Sequence, residues 1–350
     1  MSIDLKVLNN YFNYKNEHII EEKEGYYLQY LIKLRKEITE EEKCKVLAKL
    51  DNPYINKFIE IMKSNGKENV LNNLYSNLRI TKIIDCEMIQ NLIAKNSATY
   101  GGNYYIGGRI LLLLGDKIKM DNFVVNLTPY HELLHLLTTR IENENVISIG
   151  ISTNTFGEGL NEGYTEVLTK RYFGFLSEDE EDTYSIYKWY SEMIEEIIGK
   201  DVFEKSYFEA NQDLLIKELA KYSNEKNVIE IISFIDYLFD NEDKIYTIEK
   251  EMLDDNMTRI NELKMLYNES KMIRNIVFNK LITIHTNKIK KDLDNKEIDE
   301  KEYVIITNRF IDKNKKIKKE IDNYYDVYNE YIEESDKKDE RESKWKSLKK

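Results

Sequence analysis

Two histidines four residues apart, with a glutamate directly after the first, have the residue types and spacing of a hydrolytic metal site. They are His131, Glu132 and His135, in the stretch "NLTPYHELLHLLTTR". Residues with this spacing in an α-helix are about 40° apart in projection and about 6 Å apart along the axis, so both imidazoles point to one side. Imidazoles are common zinc ligands, and a neighbouring carboxylate can act as general base for a metal-activated water. The competing interpretation is a buried helix with incidental histidines.

A second stretch offers the third protein ligand that catalytic zinc sites use. The segment "GEGLNEGYTEVLTKRYF" places Glu162 and Glu166 on one face of another predicted helix. One carboxylate can bind the metal, whereas the other can accept the spare ring N–H of a ligating histidine. Glycines at 157, 159 and 163 predict tight packing near the start of this helix, where a second backbone could pass close to the histidine helix.

Together, "HELLH" and "LNEGYTE" resemble the gluzincin metallopeptidases, in particular the thermolysin-like enzymes and the neutral zinc aminopeptidases. The resemblance implies one Zn²⁺ per chain, bound by His131, His135 and Glu162, with Glu132 as the catalytic base. It also implies that Glu166 is a carboxylate behind His131, although thermolysin-like enzymes have aspartate there. Zinc would lower the pKa of a bound water to about 7, and Glu132 would take its proton during attack on a peptide bond.

The chain departs from the family pattern between and beyond these two stretches. The spacing from His135 to Glu162 is several residues longer than in either group, which leaves room for an inserted hairpin in "NENVISIGISTNTFGEG". The "GxMEN" signature of the aminopeptidases is absent, so amino-terminal specificity is not implied. The family usually adds a Tyr or His that donates to the oxyanion, and no single residue stands out for this role. The candidates are Tyr184, Tyr187, Tyr207 and His285.

The elements that must position these residues predict an α+β fold. Thr128 is the predicted N-cap of the histidine helix, and Pro129 is its predicted first residue. The leucines at 133, 136 and 137 form an apolar face on the side of the helix opposite the histidines. The stretches "RITKIIDCEMI" and "NYYIGGRILLLLGD" predict a small mixed sheet just before it. By resemblance, the second of these is an edge strand to which a substrate adds. A plain buried hairpin explains it equally well.

The remaining chain is predicted to be mainly helical. Apolar residues at helical spacing form a stripe that ends at Gly199, and another stripe lies between residues 231 and 239. The acidic run "SEDEEDT" at residues 177–183 is the predicted boundary between the two halves. The predicted segments are a helical segment over 1–80, a zincin-like catalytic core over 81–177, a helical domain forming the other cleft wall over 178–335, and a polar tail over 336–350.

Composition excludes several other classes of protein. The formal net charge of −12 argues against nucleic acid as a partner. No apolar run has the roughly 18 residues of a membrane span, and the first residues lack the apolar core of a secretory signal. The expected location is therefore cytoplasmic, unless a leaderless export route is used.

The two cysteines, Cys44 and Cys86, form no CxxC pair, so the sequence predicts neither a disulfide framework nor a thiolate metal site. His18 has no predicted metal role.

Three functional hypotheses follow from the sequence. The first is a zinc-dependent metallopeptidase, a hydrolase that acts on a protein or peptide substrate. The second is a non-enzymatic, zincin-like helical interaction protein, which would be expected to have lost a ligand or the base. The third is a delivered toxin or regulatory protease with a single protein substrate.

Overall fold

The computed structural model describes residues 53–78, 82–85, 102–106, 110–114, 127–142, 145–153, 156–176, 185–253, 259–319 and 321–322. These residues are mostly helical and include two small sheets. Several positions discussed above lie outside the described residues, namely His18, Cys44, Cys86, Tyr184, the acidic run at 177–183 and the tail at 336–350.

The helices and strands are numbered in chain order. They are α1 (Pro53–Ser64), α2 (Leu71–Leu78), β1 (Lys82–Asp85), β2 (Gly102–Ile106), β3 (Ile110–Leu114), α3 (Thr128–Thr138), β4 (Thr139–Glu142), β5 (Asn145–Ile149), β6 (Ser152–Thr153), α4 (Glu158–Phe173), α5 (Ser185–Ile198), α6 (Lys200–Phe208), α7 (Gln212–Ala220), α8 (Glu225–Leu253), α9 (Ile260–Asp294) and α10 (residues 300–319). Short 3-10 turns cover Glu68–Val70 and Gly174–Leu176.

The chain divides into two compact units, each made of several segments. The first contains residues 1–155, 161–188 and 201–215. The second contains residues 156–160, 189–200 and 216–350. The predicted segment boundaries stay a prediction, because this division follows packing and interleaves segments that are distant in sequence.

Both sheets belong to the first unit. One has the order β1-β3-β2, with β1 parallel and β2 antiparallel to β3, so that β2 is an edge strand among the described residues. The other has the order β4-β5-β6 and is antiparallel throughout. The first sheet precedes the histidine helix, and the stretch predicted to hold an inserted hairpin contains β5 and β6, which pair antiparallel.

The histidine helix α3 lies in the core of the first unit. All its residues from Pro129 to Thr138 are buried. The ring of Tyr130 stacks on Phe173 of α4 with centroids 4.7 Å apart, and Phe58 of α1 stacks on the same ring at 5.2 Å. These aromatic contacts join α1, α3 and α4 and thereby fix the two helices that carry the candidate ligands.

Helix α4 approaches the backbone of α5 very closely at Gly163. A Cβ atom at this position would overlap the backbone carbonyl of Tyr187. Only glycine allows this approach, and the close neighbour at Gly163 is α5.

The start of α3 differs from its prediction. The N-cap is Leu127, Thr128 is already the first helical residue, and no side-chain hydrogen bond caps the helix. The prediction of Thr128 as N-cap was therefore wrong by one position. The backbone bonds explain the shift, because Leu127 O accepts the N–H groups of both Tyr130 and His131.

The second unit is helical in its described residues. Gly199 follows α5 with φ of +89° and donates to Glu195 O, which confirms it as the residue after the helix end. The apolar stripes predicted on α5 and α8 are largely buried. In the described residues, no helix combines the length and apolar character needed to cross a membrane.

Candidate metal centre

The two histidines of α3 converge as their spacing predicted. His131 and His135 are 5% and 4% exposed, and their Nε2 atoms lie 3.0 Å apart. Because both side chains point the same way from consecutive helical turns, their lone pairs can meet on one ion.

Glu162 of α4 completes the cluster. One of its oxygens lies 3.1 Å from Nε2 of His131, and the other lies 3.2 Å from Nε2 of His135. Ligands of a tetrahedral zinc at about 2.0–2.1 Å are separated from one another by about 3.3 Å. Two imidazole nitrogens and a carboxylate at these distances form a donor set that fits a divalent metal, and such an ion could be held here.

The second ring nitrogen of each histidine faces a different neighbour on α4. An oxygen of Glu166 lies 3.3 Å from Nδ1 of His131. The side-chain nitrogen of Asn161 lies 3.3 Å from Nδ1 of His135. The Glu166 carboxylate can accept the Nδ1–H of a ligating His131 and so fix the orientation of its ring. The amide nitrogen of Asn161 is a donor, so it can hydrogen-bond only to an unprotonated Nδ1 of His135. The expected place of Glu166 behind His131 agrees with this geometry.

Electrostatics in the cluster favour a positive charge next to Glu162. Burial alone would lower the pKa of His131, but its hydrogen bonds to Glu162 and Glu166 outweigh this and raise the pKa to about 10. Burial would raise the pKa of Glu162, but His135 and His131 hold it well below its usual range. A metal ion would therefore replace a proton within a site already arranged for a cation.

Glu132 is buried beside the ligands, with 8% of its surface exposed. Burial raises the pKa of its carboxyl, His131 and His135 oppose this increase, and Glu162 adds to it. A carboxyl with a raised pKa in a nearly dry site has the property expected of a group that takes up and releases a proton.

The end of α3 is fixed by side chains from α2. Asn77 donates from its amide to the carbonyls of Leu136 and Thr139 at 2.8 and 2.9 Å. Asn73 donates to Leu137 and Thr139 at 2.5 and 3.2 Å. These bonds satisfy carbonyls that the helix end leaves without intrahelical partners, and so they hold the turn after His135.

None of the candidates for the oxyanion donor is singled out by the structure. Tyr207 is in the first unit, but it is fully buried and its hydroxyl lies 2.8 Å from Oγ1 of Thr165. Tyr187 is a buried residue of the same unit. His285 belongs to the second unit, where its ring stacks on Phe310 with centroids 3.4 Å apart.

No match was found among protein-family models, characterised proteins or solved structures. The gluzincin assignment and the zincin fold therefore stay predictions from the sequence. The HxxxH-plus-Glu162 cluster is a feature of the structure itself and is compatible with a site of the HExxH kind.

Sequence reasoning missed the contact between Asn161 and His135. Asn161 directly precedes Glu162 in the stretch "LNEGYTE", so its proximity could have been inferred from the helix. Ile151, whose backbone N–H donates to Oδ1 of Asn161, gave no such signal, because it belongs to no motif.

Proposed function

We propose that this protein is a zinc-dependent metallopeptidase of gluzincin type. The observation that carries the proposal is the convergence of the Nε2 atoms of His131 and His135 on Glu162, at 3.0–3.3 Å, beside the buried carboxyl of Glu132. Two histidines and a carboxylate favour zinc over magnesium or calcium, which prefer oxygen ligands alone.

The proposed chemistry is hydrolysis of a peptide bond. Zinc, when bound, supplies Lewis acidity and makes water available as a nucleophile near neutral pH. Glu132 takes the proton of the attacking water and delivers it to the leaving amine. Glu166 accepts the Nδ1–H of His131 and so holds that imidazole in orientation.

The proposed architecture is an α+β, zincin-like catalytic unit. Its support is a small mixed sheet that precedes the histidine helix, with β2 as an edge strand among the described residues. An edge strand offers free backbone groups, so an extended peptide could pair with β2. The choice of a protein or peptide as substrate depends on the resemblance of "HELLH" and "LNEGYTE" to the gluzincins.

The proposal is tested by profiling cleavage of a proteome-derived peptide library with wild type and Glu132→Gln, both loaded with zinc. The variant is expected to retain zinc and to lose at least about a hundredfold in cleavage rate, because it lacks the general base. Glu209→Gln is the matched control, since Glu209 is an exposed glutamate of the same unit, and it should cleave like wild type. Zinc binding without cleavage by wild type would favour the non-enzymatic interaction protein.

A further inference from the structure

Tyr207 of α6 reaches both of the helices that carry the candidate ligands. Its hydroxyl lies 2.8 Å from Oγ1 of Thr165 in α4 and is hydrogen-bonded to the side chain of Thr138, the last residue of α3. Thr138 follows His135 by three residues. Thr165 follows Glu162 by the same number. The phenol therefore joins the two helices about one turn from a ligand on each.

The hydrogens of these hydroxyls determine the direction of each bond. Thr165 donates to the backbone carbonyl of Asn161 at 2.7 Å, so its hydrogen is not available to the phenol. Tyr207 therefore donates to Thr165, and its oxygen can accept from Thr138. The Leu134 carbonyl, 3.0 Å from the Thr138 oxygen, is a second acceptor for that hydrogen. Since the phenol gives its one hydrogen to Thr165, it has none for an oxyanion.

The Tyr207 side chain is held in place by packing. It is fully buried, and its ring meets that of Tyr164 edge to face, with centroids 5.6 Å apart. A Cβ atom at Gly150, in the turn between β5 and β6, would come within 2.7 Å of the ring. Gly150 has φ of +53°, which favours glycine, and its N–H donates to the Thr138 carbonyl at 3.3 Å. The strands inserted after the histidine helix therefore close one side of the Tyr207 site.

We propose that Tyr207 is a positioning residue of the metal centre, whose phenol sets the distance between the helices that carry His135 and Glu162. The inference rests on the proposed metal site. His131 and His135 share one helix, which fixes their spacing. Glu162 comes from another helix, so its distance from the histidines depends on how the two helices are held together. A hydrogen-bonded bridge defines that distance better than apolar packing, because it is directional and limited in length.

The test compares the zinc affinities of wild type, Tyr207→Phe, Ser206→Ala and Tyr190→Phe, measured by competition with a chromophoric chelator. Tyr207→Phe keeps the ring and removes only the bridging hydroxyl. Ser206 is the control on the same helix, because its buried hydroxyl donates to the Asn211 carbonyl at 2.6 Å. Tyr190 is the control for the same substitution, because its buried hydroxyl donates to the Arg274 carbonyl of the second unit at 2.9 Å.

Each of the three substitutions removes one buried hydroxyl, so all three are expected to lower the melting temperature. Only Tyr207→Phe is expected to weaken zinc binding, by about fivefold, which is less than the cost typical of removing a group that touches a ligand. The visible absorption bands of the cobalt-substituted protein report ligand geometry, so they should shift in Tyr207→Phe and stay unchanged in both controls. If Tyr207→Phe does not fold, Thr138→Val, which keeps the side-chain shape and removes the other end of the bridge, replaces it.

Three results would overturn the inference, and they are distinguishable. A folded Tyr207→Phe with the zinc affinity and cobalt spectrum of wild type contradicts the positioning role and leaves the metal site intact. An equal loss of zinc affinity in Ser206→Ala shows that any lost hydrogen bond of α6 has this effect, and it contradicts the bridge. A wild type that binds no zinc contradicts the metal site and the positioning role together.

Discussion

The Nδ1 atoms of His131 and His135 face different chemical groups on one helix. Glu166 faces the first and Asn161 faces the second. The i, i+4 spacing of Glu162 and Glu166 was enough to predict two carboxylates on one helix face. The position of Asn161 beside His135 was not predictable in the same way, because an asparagine before a candidate ligand has no distinctive chemistry until its neighbours are known.

Replacement of Glu166 by alanine should weaken metal binding without unfolding the site. The His131 imidazole would lose the acceptor 3.3 Å from its Nδ1, and such losses typically cost about 10–100-fold in metal affinity. Zinc affinity measured by chelator competition checks this. Glu209→Ala, at an exposed position, should bind zinc like wild type, and equal affinity in both variants would contradict the assigned role of Glu166.

For the helices and strands, the sequence predicted the positions of the segments better than their terminal residues or the contacts between them. The apolar spacing and the glycine pairs located α3, β2 and β3, because these patterns reflect which residues are buried. The N-cap of α3 was misplaced by one residue, since the deciding backbone bonds to Leu127 are not encoded by residue type. The insertion was foreseen only from its length, and its contact with Asn161 depends on tertiary packing.

The closeness of α4 and α5 predicts an unusual response to alanine at Gly163. Alanine normally stabilises a helix by up to about 1 kcal/mol relative to glycine. Here its Cβ would overlap the carbonyl of Tyr187, so a net loss of about 1–3 kcal/mol is expected. Thermal unfolding measures this change.

Gly174→Ala is the control for this prediction. The nearest neighbour of a Cβ at Gly174 is Cβ of Lys170 at 4.0 Å, so alanine fits there without movement. If Gly163→Ala melts at or above the temperature of Gly174→Ala, the close helix contact is wrong.

The donation by Asn77 to the end of α3 predicts a second loss of stability. In Asn77→Leu, the buried carbonyls of Leu136 and Thr139 lose the amide that donates to both. A loss of about 1–3 kcal/mol is expected from urea unfolding. Lys57→Ala removes only an exposed ion pair with Glu60 and should change stability by less than about 1 kcal/mol. Equal unfolding curves for the two variants would contradict the role of Asn77.

At the scale of the whole molecule, the division into two units could not be read from the sequence. Residues 201–215 belong with the first unit although they follow residues 189–200 of the second. Composition and charge runs mark changes along the chain, but they carry no information on which distant segments pack together. The mainly helical character after α4 was predictable, because long apolar stripes persist there.

His285 gives the second unit a predictable dependence on pH. Burial lowers its pKa from 6.5 to about 4, Lys288 and Lys313 add to this, and Asp292 opposes it. Between these pH values the unfolded chain binds a proton that the folded unit does not, so stability is lost as pH falls from 6.5 towards 4.

In His285→Gln this contribution is absent, so the variant should lose less unfolding free energy than wild type between pH 7 and pH 4. The expected difference is on the order of 1–3 kcal/mol. Urea unfolding of both proteins at several pH values measures it. Parallel pH profiles for the two proteins would contradict the lowered pKa of His285.

The proposed metal site is tested most directly by the metal content of the purified protein. Wild type and His135→Ala are purified without chelators, incubated with a small excess of zinc, desalted and analysed by mass spectrometry for metals. We expect about one zinc per wild-type chain and less than about a tenth of a zinc per chain for the variant, which keeps only two of the three ligands. A wild-type protein that retains no zinc, or a variant that retains as much as wild type, would contradict it.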